Sequence, residues 1–400
     1  MKKSLFAVAV ASVLTLGAAQ AETILYGSIR YDYENAKKEN TLEPIFKDGE
    51  EVGLNFSGKR VSNLNDAGSR IGIKGSEDLG NNNAVIYNLE FGFDGMVQDE
   101  SKSEFKTRLA ILGLTGDWGT FTAGRQDNPF KVTIVDDSVV DGFNGSSVIT
   151  SASQRAMTST LNGTGVNEGT VEGEFDANDG YIEGNTYTVS KVDIASVDYD
   201  RVGKVIAYTT PDFAGFQANA AIMMDDSLYA KNDEKNIDLW TINAKYAYDL
   251  GVNGTILAKA GYIQGKVADK NKSKAWGLFL GYSQDAFAVT ASYAEGNHKE
   301  YMGEGIANGP KEKSKGWDLG ASFSFGPNYF STVRAAYGQN QIKVENEKDK
   351  VKSWAVGFEQ KLSTRTRAWV EYGNQETKFD DRTMSKKKDN VVSIGMRHDF

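Results

Sequence analysis

The feature that most constrains this chain is an alternation of apolar and polar residues, which recurs from end to end in segments of about ten residues. In one segment Val85, Leu89 and Phe93 fall on one face, while Asn88 and Glu90 fall on the other. Because successive side chains of a strand point to opposite sides, a period of two predicts strands with one apolar and one polar face. Soluble strands usually run about 5–6 residues, whereas about ten residues suit a tilted strand that crosses a bilayer.

Aromatic residues cluster near the segment ends, as the interfacial girdles of a membrane barrel require: Tyr31, Tyr33, Phe91, Phe93, Tyr246 and Tyr248. A sheet that turns its apolar face to lipid has to close, since an open edge would leave backbone donors unpaired in hydrocarbon. The sequence therefore predicts an all-β fold, a transmembrane antiparallel β-barrel rather than a soluble sandwich.

The connections between segments alternate in length. Short turns such as Gly116–Gly119 and Gln284–Ala286 separate longer polar stretches such as Asn297–Lys313, Gln341–Lys352 and Gln375–Asp389. Short turns at one end and long loops at the other are typical of outer-membrane barrels. Two strands beside each of eight long loops predict sixteen strands, with eighteen as the alternative.

The beginning of the chain has the pattern of an export signal. Lys2 and Lys3 precede an apolar run that ends at Ala19, and Ala19-Gln20-Ala21 has the small-x-small form of a cleavage site. We expect a signal peptide over residues 1–21 and one barrel domain over residues 22–400. Removal of the two lysines changes the formal charge from −9 to −11.

Five stretches resemble the general diffusion porins of Gram-negative bacteria, especially the neisserial and Pasteurella-type branch. They are Leu25–Ile29, Gly68–Gly80, Trp118–Gln126, Arg201–Phe216 and the closing strand Val391–Phe400. The resemblance implies a water-filled channel for passive diffusion of small hydrophilic solutes and ions. It also implies a homotrimer of sixteen-stranded barrels in the outer membrane, in contact with membrane lipid and lipopolysaccharide, with the third loop folded into each lumen.

The resemblance gives the carboxy-terminal Phe400 a further role. In this family the terminal aromatic residue is part of the signal that the barrel-assembly machinery reads, after periplasmic chaperones have escorted the chain. Val392, Ile394, Met396 and His398 share the face of Phe400, so the last strand has the mostly apolar face that this role needs.

The third loop, from about residue 127 to 196, is unusually long. It carries eleven acidic residues against three basic ones, a net charge of −8. Its first part, Phe130–Phe143, has apolar residues able to hold it against a barrel wall. Its second part, Thr158–Asn185, is rich in Gly, Asn, Thr and Glu, which favours a solvated surface loop because such a composition buries little.

The family's constriction sets basic side chains of the wall against carboxylates of the third loop. The wall residues that match are Arg70 and Arg125, with Arg201 a looser match; alternation alone adds Arg30 and Arg108. Asp136, Asp137 and Asp141 are the predicted loop carboxylates. Alternation puts Arg125 on the face of Phe121 and Ala123, so either a bulge near Gly124 redirects it or it lies beyond the strand end.

Enzymatic readings have little support in the sequence. The chain has two histidines and no cysteine, too few for a typical metal site, and we expect no catalytic residue, cofactor, metal or nucleic-acid partner. Three alternatives stay open: a substrate-specific channel, an adhesin-like barrel that uses its external loops, and an outer-membrane protease with His298 of an external loop as base.

Overall fold

The computed structural model describes residues 22–97, 105–145, 147–162, 167–172, 175–176, 180–181, 188–193, 200–224, 237, 239–266, 272–299, 310–381 and 384–400, with only the backbone between 167 and 193. The predicted signal peptide over residues 1–21 lies outside the described residues. So does much of Thr158–Asn185, the predicted solvated part of the third loop. Its first residues, through Asn162, belong to a helix.

The barrel is built from sixteen strands in chain order. They are β1 (Glu22–Lys37), β2 (Arg60–Asp66 and Arg70–Gly80), β3 (Asn83–Gly92), β4 (Lys106–Gly116), β5 (Gly119–Asp127), β6 (Arg201–Thr209), β7 (Phe216–Met223), β8 (Leu239–Asp249), β9 (Thr255–Lys266), β10 (Lys272–Gln284), β11 (Phe287–Lys299), β12 (Lys311–Phe325), β13 (Ser331–Val344), β14 (Glu347–Lys361), β15 (Thr366–Lys378) and β16 (Lys387–Asp399).

The sheet closes because β1 pairs antiparallel with β16 on one side and with β2 on the other. The two segments of β2 lie end to end along β1, with Lys37 opposite Arg60 and Ser28 opposite Arg70, so they act as one strand interrupted at residues 67–69. The predicted closed antiparallel barrel is confirmed, with sixteen strands rather than eighteen.

The two faces of the barrel are the reverse of those of a soluble protein. Large apolar side chains such as Leu25, Leu280 and Ile394 are exposed on the outer face, while Ser28 and Ser393 are buried inside. Four Trp–Tyr pairs lie on the outer face near the long-loop end, with ring centroids 5.2 to 5.5 Å apart: Trp240–Tyr262, Trp276–Tyr293, Trp317–Tyr337 and Trp354–Tyr372. None of the helices in the described ranges has the length and apolar character to cross a membrane.

One strand departs from simple alternation. The register between β3 and β4 shifts between Glu90 and Phe91, because Arg108 is an extra residue on β4. Beyond this bulge Leu112 and Leu114 are exposed outside, and Ile111 and Gly113 therefore point inward. Simple alternation from Phe105 and Leu109 predicts that Ile111 and Gly113 share their outer face, and this prediction is wrong.

Two predicted loops are shorter than expected. Most of Gln341–Lys352 is strand, since β13 and β14 continue to a two-residue turn at residues 345–346. His298, expected in an external loop, lies near the end of β11, where it is buried opposite Glu312. Polar residues continue a strand here because its end extends beyond the apolar layer.

The third loop begins with two helices, α1 (Pro129–Ile134) and α2 (Ala152–Asn162). Asn128 caps α1 by accepting a hydrogen bond from the Phe130 N–H at 3.0 Å, and Pro129 suits the first helical turn. Phe130, Ile134 and Met157 are completely buried in the main apolar cluster, whose wall residues come from β6 to β11. Each such side chain contributes about 1.5–3 kcal/mol through burial, so the loop is held inside the barrel.

The closing strand fits tightly against β1. Gly27 and Phe400 exchange two backbone hydrogen bonds of 3.1 Å, and a Cβ atom at Gly27 would lie 2.5 Å from Phe400 Cζ and 2.7 Å from the Arg70 carbonyl oxygen. We predict that Gly27→Val lowers the folded fraction severalfold in a heat-modifiable migration assay. The conservative change Ile29→Leu on the same strand should fold normally, and normal folding of Gly27→Val would contradict this account of closure.

Candidate functional site

A cluster of four arginines lies on the inner face of neighbouring strands. Arg30 of β1 is directly opposite Arg397 of β16, and Arg70 of β2 is opposite Ser28. Arg108 of β4 joins them through the bulge described above. We refer to Arg30, Arg70, Arg108 and Arg397 as the arginine cluster. Like charges on adjacent strands repel one another, so the cluster requires compensating anions.

Only part of that compensation comes from neighbouring carboxylates. Glu90 accepts a hydrogen bond from Arg108 Nε at 2.6 Å and lies 3.6 Å from Arg70 Nε. Asp399 accepts one from Arg397 Nε at 2.6 Å. Arg30 Nε donates to Ser28 Oγ at 3.0 Å, while its Nη2 is buried without a hydrogen-bond partner among the described residues. The cluster therefore keeps an excess of positive charge.

The first helix of the third loop lies against the side of the barrel opposite the arginine cluster. Lys259 of β9, eight strands from β1 and so half of the circumference away, is buried beneath α1. Its ammonium group donates to the carbonyl oxygens of Val132 at 3.0 Å and Asp136 at 2.6 Å, and to Asp137 Oδ2 at 3.0 Å. One buried lysine thus satisfies the carboxyl end of α1 and the turn that follows it.

From this point the loop runs along the wall with its backbone bonded to inward side chains. The N–H of Val139 donates to Thr290 Oγ1 at 2.9 Å, and the Gly142 carbonyl accepts from Arg334. The N–H groups of Asn144 and Gly145 donate to Glu371 Oε2 at 2.9 and 2.8 Å. The loop then reaches the loop ends of β1 and β16, where the Ser147 N–H donates to Glu34 Oε1 at 3.1 Å and Val148 packs against Val391. Among the described residues, none of these contacts involves the arginine cluster.

The second helix is held at its amino terminus by Asp318 of β12. The N–H groups of Ala152 and Ser153 donate to its carboxylate at 2.7 and 2.9 Å, and the hydroxyls of Ser151 and Ser153 donate at 2.7 Å. The carboxylate is buried, and it also benefits from the positive end of the helix dipole. Charge-assisted bonds of this kind fix the position of α2 against the wall.

The three predicted loop carboxylates lie in different surroundings. Asp136 accepts from Lys131 at 2.6 Å, and Asp137 is paired with Lys259. Burial would lower the pKa of Lys131, but the Asp136 and Asp141 carboxylates outweigh it and raise that pKa above its usual value. Asp141 is exposed to the lumen and makes no ion pair with a described residue.

The loss of hydration inside the barrel is the main cause that raises the pKa of Asp141 to about 6. The Lys131 ammonium group opposes this rise, and repulsion from the Asp136, Asp137 and Asp200 carboxylates adds to it. Because its side chain is exposed, lumen water and salt moderate this shift. Asp141 is therefore a carboxylate that changes its charge in a mildly acidic medium.

The structure brings together three of the five predicted arginines, namely Arg30, Arg70 and Arg108. Arg125 is opposite Ala110, on the outward face of Phe121 and Ala123, and its Nε donates to the Thr107 carbonyl at 2.9 Å. The irregularity near Gly124 does not turn it inward. Arg201 lies opposite Asp127 at the loop end of β6, away from the arginine cluster. The roles of all these residues stay predictions.

Sequence reasoning missed the residues that hold the loop. Lys259, Asp318 and Glu371 are single charges in the middle of otherwise apolar segments, for instance Asp318 between Trp317 and Leu319. An isolated charge on the inward face of a membrane strand is costly unless it has a partner. That pattern could have marked these residues, although it does not say which part of the loop each one binds.

Comparisons with known proteins agree with this architecture. Residues 7–380 match the family described as Gram-negative porin. The chain belongs to that family. Major outer membrane protein P.IB of Neisseria sicca is 24% identical over 425 residues, which cover the whole of both chains. Major outer membrane protein P.IA of Neisseria meningitidis serogroup C is 37% identical over 132 residues, 32% of this chain and 33% of the relative.

Solved structures of porins share the fold. An anion-selective porin from Comamonas acidovorans has a TM-score of 0.63 at 18% identity, over 95% of this chain and 100% of that one. The trimer form of OmpT from Vibrio cholerae has a TM-score of 0.60 at 13% identity, over 96% and 100%. The chain is an outer-membrane porin, a member of a family of channels. In the described parts of this porin, no group of three or more acidic, His or Cys side chains could hold a metal ion.

We predict that Asp318→Asn loosens α2, because an amide is a weaker acceptor for the Ala152 and Ser153 N–H groups. Lost charge-assisted bonds cost about 1.5–3 kcal/mol each, so amide hydrogen exchange over residues 152–156 should speed up at least tenfold. Glu345→Gln, at the exposed tip of the β13–β14 turn, is the control and should leave exchange there unchanged. Equal exchange in both variants would mean that Asp318 does not hold the helix.

The raised pKa of Asp141 predicts a pH dependence of ion selectivity. Between pH 7.5 and pH 5 its carboxylate becomes protonated, so the lumen loses a negative charge and the reversal potential in a salt gradient should shift toward anions. Asp141→Asn should begin nearer the anion side and show a smaller shift on acidification. An equal shift in the variant and the parent would assign the titration to another group.

Proposed function

We propose that this porin passes small hydrophilic solutes and ions by passive diffusion, through the opening between the arginine cluster and the third loop. One observation carries the proposal: among the described residues the loop is bonded to the inner wall from β9 to β15 and to the loop ends of β16 and β1, and none of its hydrogen bonds or ion pairs there involves the arginine cluster. A loop fixed to one side narrows the lumen without filling it, and so sets a size limit for solutes.

The two sides of this opening carry opposite charges. The arginine cluster has four guanidinium groups against the nearby carboxylates Glu90 and Asp399, whereas Asp141 on the loop faces the lumen from the other side. Such an arrangement produces a field across the opening, which orients dipolar solutes and separates the paths of anions and cations. This is the proposed electrostatic constriction, with Asp136 and Asp137 tied to lysines at its edge.

The assembly of the porin is proposed on the family resemblance. A homotrimer is supported by the trimer form of Vibrio cholerae OmpT, which shares the fold. We further propose that residues 1–21 direct export and are removed. Phe400, bonded to Gly27 at the closing seam, is then the residue that the assembly machinery recognises after the periplasmic chaperones.

Single-channel recording of the purified porin in a planar bilayer tests the proposal. We expect large ohmic steps that close in groups of three at high voltage. A folded barrel without conductance would mean that the loop plugs the lumen, and would favour an adhesin-like role for the external loops.

Arg30→Gln tests the constriction directly, because among the described residues Arg30 makes no ion pair whose loss would leave a carboxylate unpaired. Loss of this positive charge should shift the reversal potential toward cations, with a cation-to-anion permeability ratio that rises about twofold. Arg365→Gln, at an exposed short turn, is the matched control and should have no effect. Indistinguishable selectivity in the two variants would remove the arginine cluster from the permeation path.

A further inference from the structure

A half-enclosed cavity of about 270 Å³ lies at the long-loop end of the barrel, apart from the arginine cluster. One side of it is formed by the third loop and α2, and the other by the inner wall of β14, β15, β16 and β1. Lys38, directly after β1, is eight residues from Arg30, about 27 Å along an extended chain. We name this cavity the loop-end pocket. The lining residues that matter here are Lys38, Arg155, Ser353, Gln375, Val148 and Val391.

The strand register places the polar residues of the pocket in one row across the wall. Ser353 of β14 is directly opposite Gln375 of β15, which is directly opposite Asp389 of β16. The pairing of β16 with β1 continues this row to Lys38. Neighbouring strands lie about 4.8 Å apart, so the row spans about 14 Å. These side chains therefore occupy one level of the inner face, near the end of the barrel.

The pocket presents hydrogen-bond donors that have few partners in the described ranges. Arg155 of α2 donates from Nη2 to Gln375 Oε1 at 2.5 Å, and its guanidinium group makes no ion pair with a described residue. Lys38 makes neither a hydrogen bond nor an ion pair within the same ranges. Ser353 is 2% exposed, and its hydroxyl group has no hydrogen-bond partner there. Buried polar groups normally have partners, so these donors indicate an occupant that supplies acceptors.

The carboxylates beside the pocket already have partners. Asp389 Oδ1 accepts a hydrogen bond from the Glu39 N–H at 2.8 Å, and its Oδ2 lies 3.6 Å from Lys387 Nζ. Glu39 itself accepts from Lys37 Nζ at 2.7 Å. Because each of these acidic side chains has a cation of its own, the guanidinium group and the remaining ammonium group of the pocket give it an excess of positive charge.

The rest of the pocket wall is apolar. Val148 of the loop and Val391 of β16 belong to one buried cluster with Ala355, against which Ile149 packs. A surface of this kind favours contact with hydrocarbon over contact with a hydrated inorganic ion. An occupant with an anionic head and a short aliphatic body would suit both parts of the pocket.

We propose that the loop-end pocket binds small aliphatic carboxylates before they enter the opening. The carboxylate accepts from the guanidinium group of Arg155, which Gln375 holds in place, and from the Ser353 hydroxyl. Lys38 raises the local concentration of anions. Pockets for drug-sized ligands usually measure about 300–1,000 Å³, so this smaller one suits bodies of about four to six carbon atoms. The inference rests on the proposed function, because it names one class of solute that the channel admits.

The test is a saturation-transfer NMR titration of the full-length, detergent-purified porin with pentanoate. Arg155→Gln combined with Lys38→Gln removes both cations of the pocket. Arg365→Gln combined with Lys59→Gln removes the same two charge types at exposed positions and is the matched control. Ser353→Ala removes only the buried hydroxyl group and leaves every charge in place. Pentanamide, which has nearly the same shape and no charge, is the comparison ligand.

We expect the pocket double variant to bind pentanoate roughly tenfold more weakly than the parent, because hydrogen bonds to charged groups are the strong ones. Ser353→Ala should weaken binding about threefold, as expected for one neutral donor. The control double variant should bind like the parent. Pentanamide should bind the parent only as weakly as pentanoate binds the pocket double variant. All variants should keep heat-modifiable migration and open channels in KCl.

Three outcomes would overturn the proposal. Unchanged pentanoate affinity in the pocket double variant would place the site elsewhere. Equal affinity for pentanoate and pentanamide would assign binding to the apolar wall alone. Full displacement of pentanoate by equimolar inorganic phosphate would make the pocket a site for inorganic oxyanions.

The same experiment separates this inference from the proposed function. A parent porin that conducts in KCl but does not bind pentanoate would contradict the inference and leave the channel function intact. A parent porin that binds pentanoate without conducting would contradict the channel function instead.

Discussion

Every part of this structure depends on the complete pairing of the backbone within the barrel wall. Hydrocarbon offers no partner for an unpaired N–H or carbonyl group, so β1 has to bond with both β16 and β2. The seam at Gly27 and Phe400 completes that pairing at the end of the chain. Once the wall is closed, the alternation of side chains fixes an apolar exterior and a polar interior, and the polar interior in turn needs partners of its own.

The third loop supplies many of those partners. Lys259, Asp318 and Glu371 are charges removed from bulk water, and each would be costly if left alone. Their hydrogen bonds to the backbone of the loop offset that cost, and they hold the loop in one position. In the part of the chain that the structure describes, no segment of the loop is bonded to the arginine cluster, so its compensation depends on Glu90, Asp399, lumen water and passing anions. The requirement that charges inside the barrel have partners thus explains why the loop lies against one arc of the inner wall, where Lys259, Asp318 and Glu371 bind it.

The sequence predicted the parts that obey a period and failed at those that depend on tertiary partners. Alternation, aromatic residues at segment ends and alternating connection lengths predicted the closed sixteen-stranded barrel. The same alternation misassigned Ile111 and Gly113, because one extra residue at Arg108 reverses the faces of a strand. The partners of Asp318 and Glu371 lie more than 160 residues away in the chain, at positions set only when the loop packs, so no local pattern identifies them.

The cations of the inner wall serve two different purposes: Lys259 holds the carboxyl end of α1, whereas the arginine cluster borders the proposed passage. A guanidinium group is planar, remains charged in confined places and can serve two carboxylate oxygens, which suits the arginines beside Glu90 and Asp399 inside the lumen. An ammonium group is compact and carried on a flexible stem, so its three donors can turn toward oxygens in several directions. If the arginines of the cluster were replaced by lysines, Glu90 and Asp399 would be held less rigidly. The width of the opening would then depend more on the salt concentration. Arg30, Arg70 and Arg108 therefore suit a passage of fixed width, whereas the compact ammonium group of Lys259 suits a pocket of converging loop oxygens.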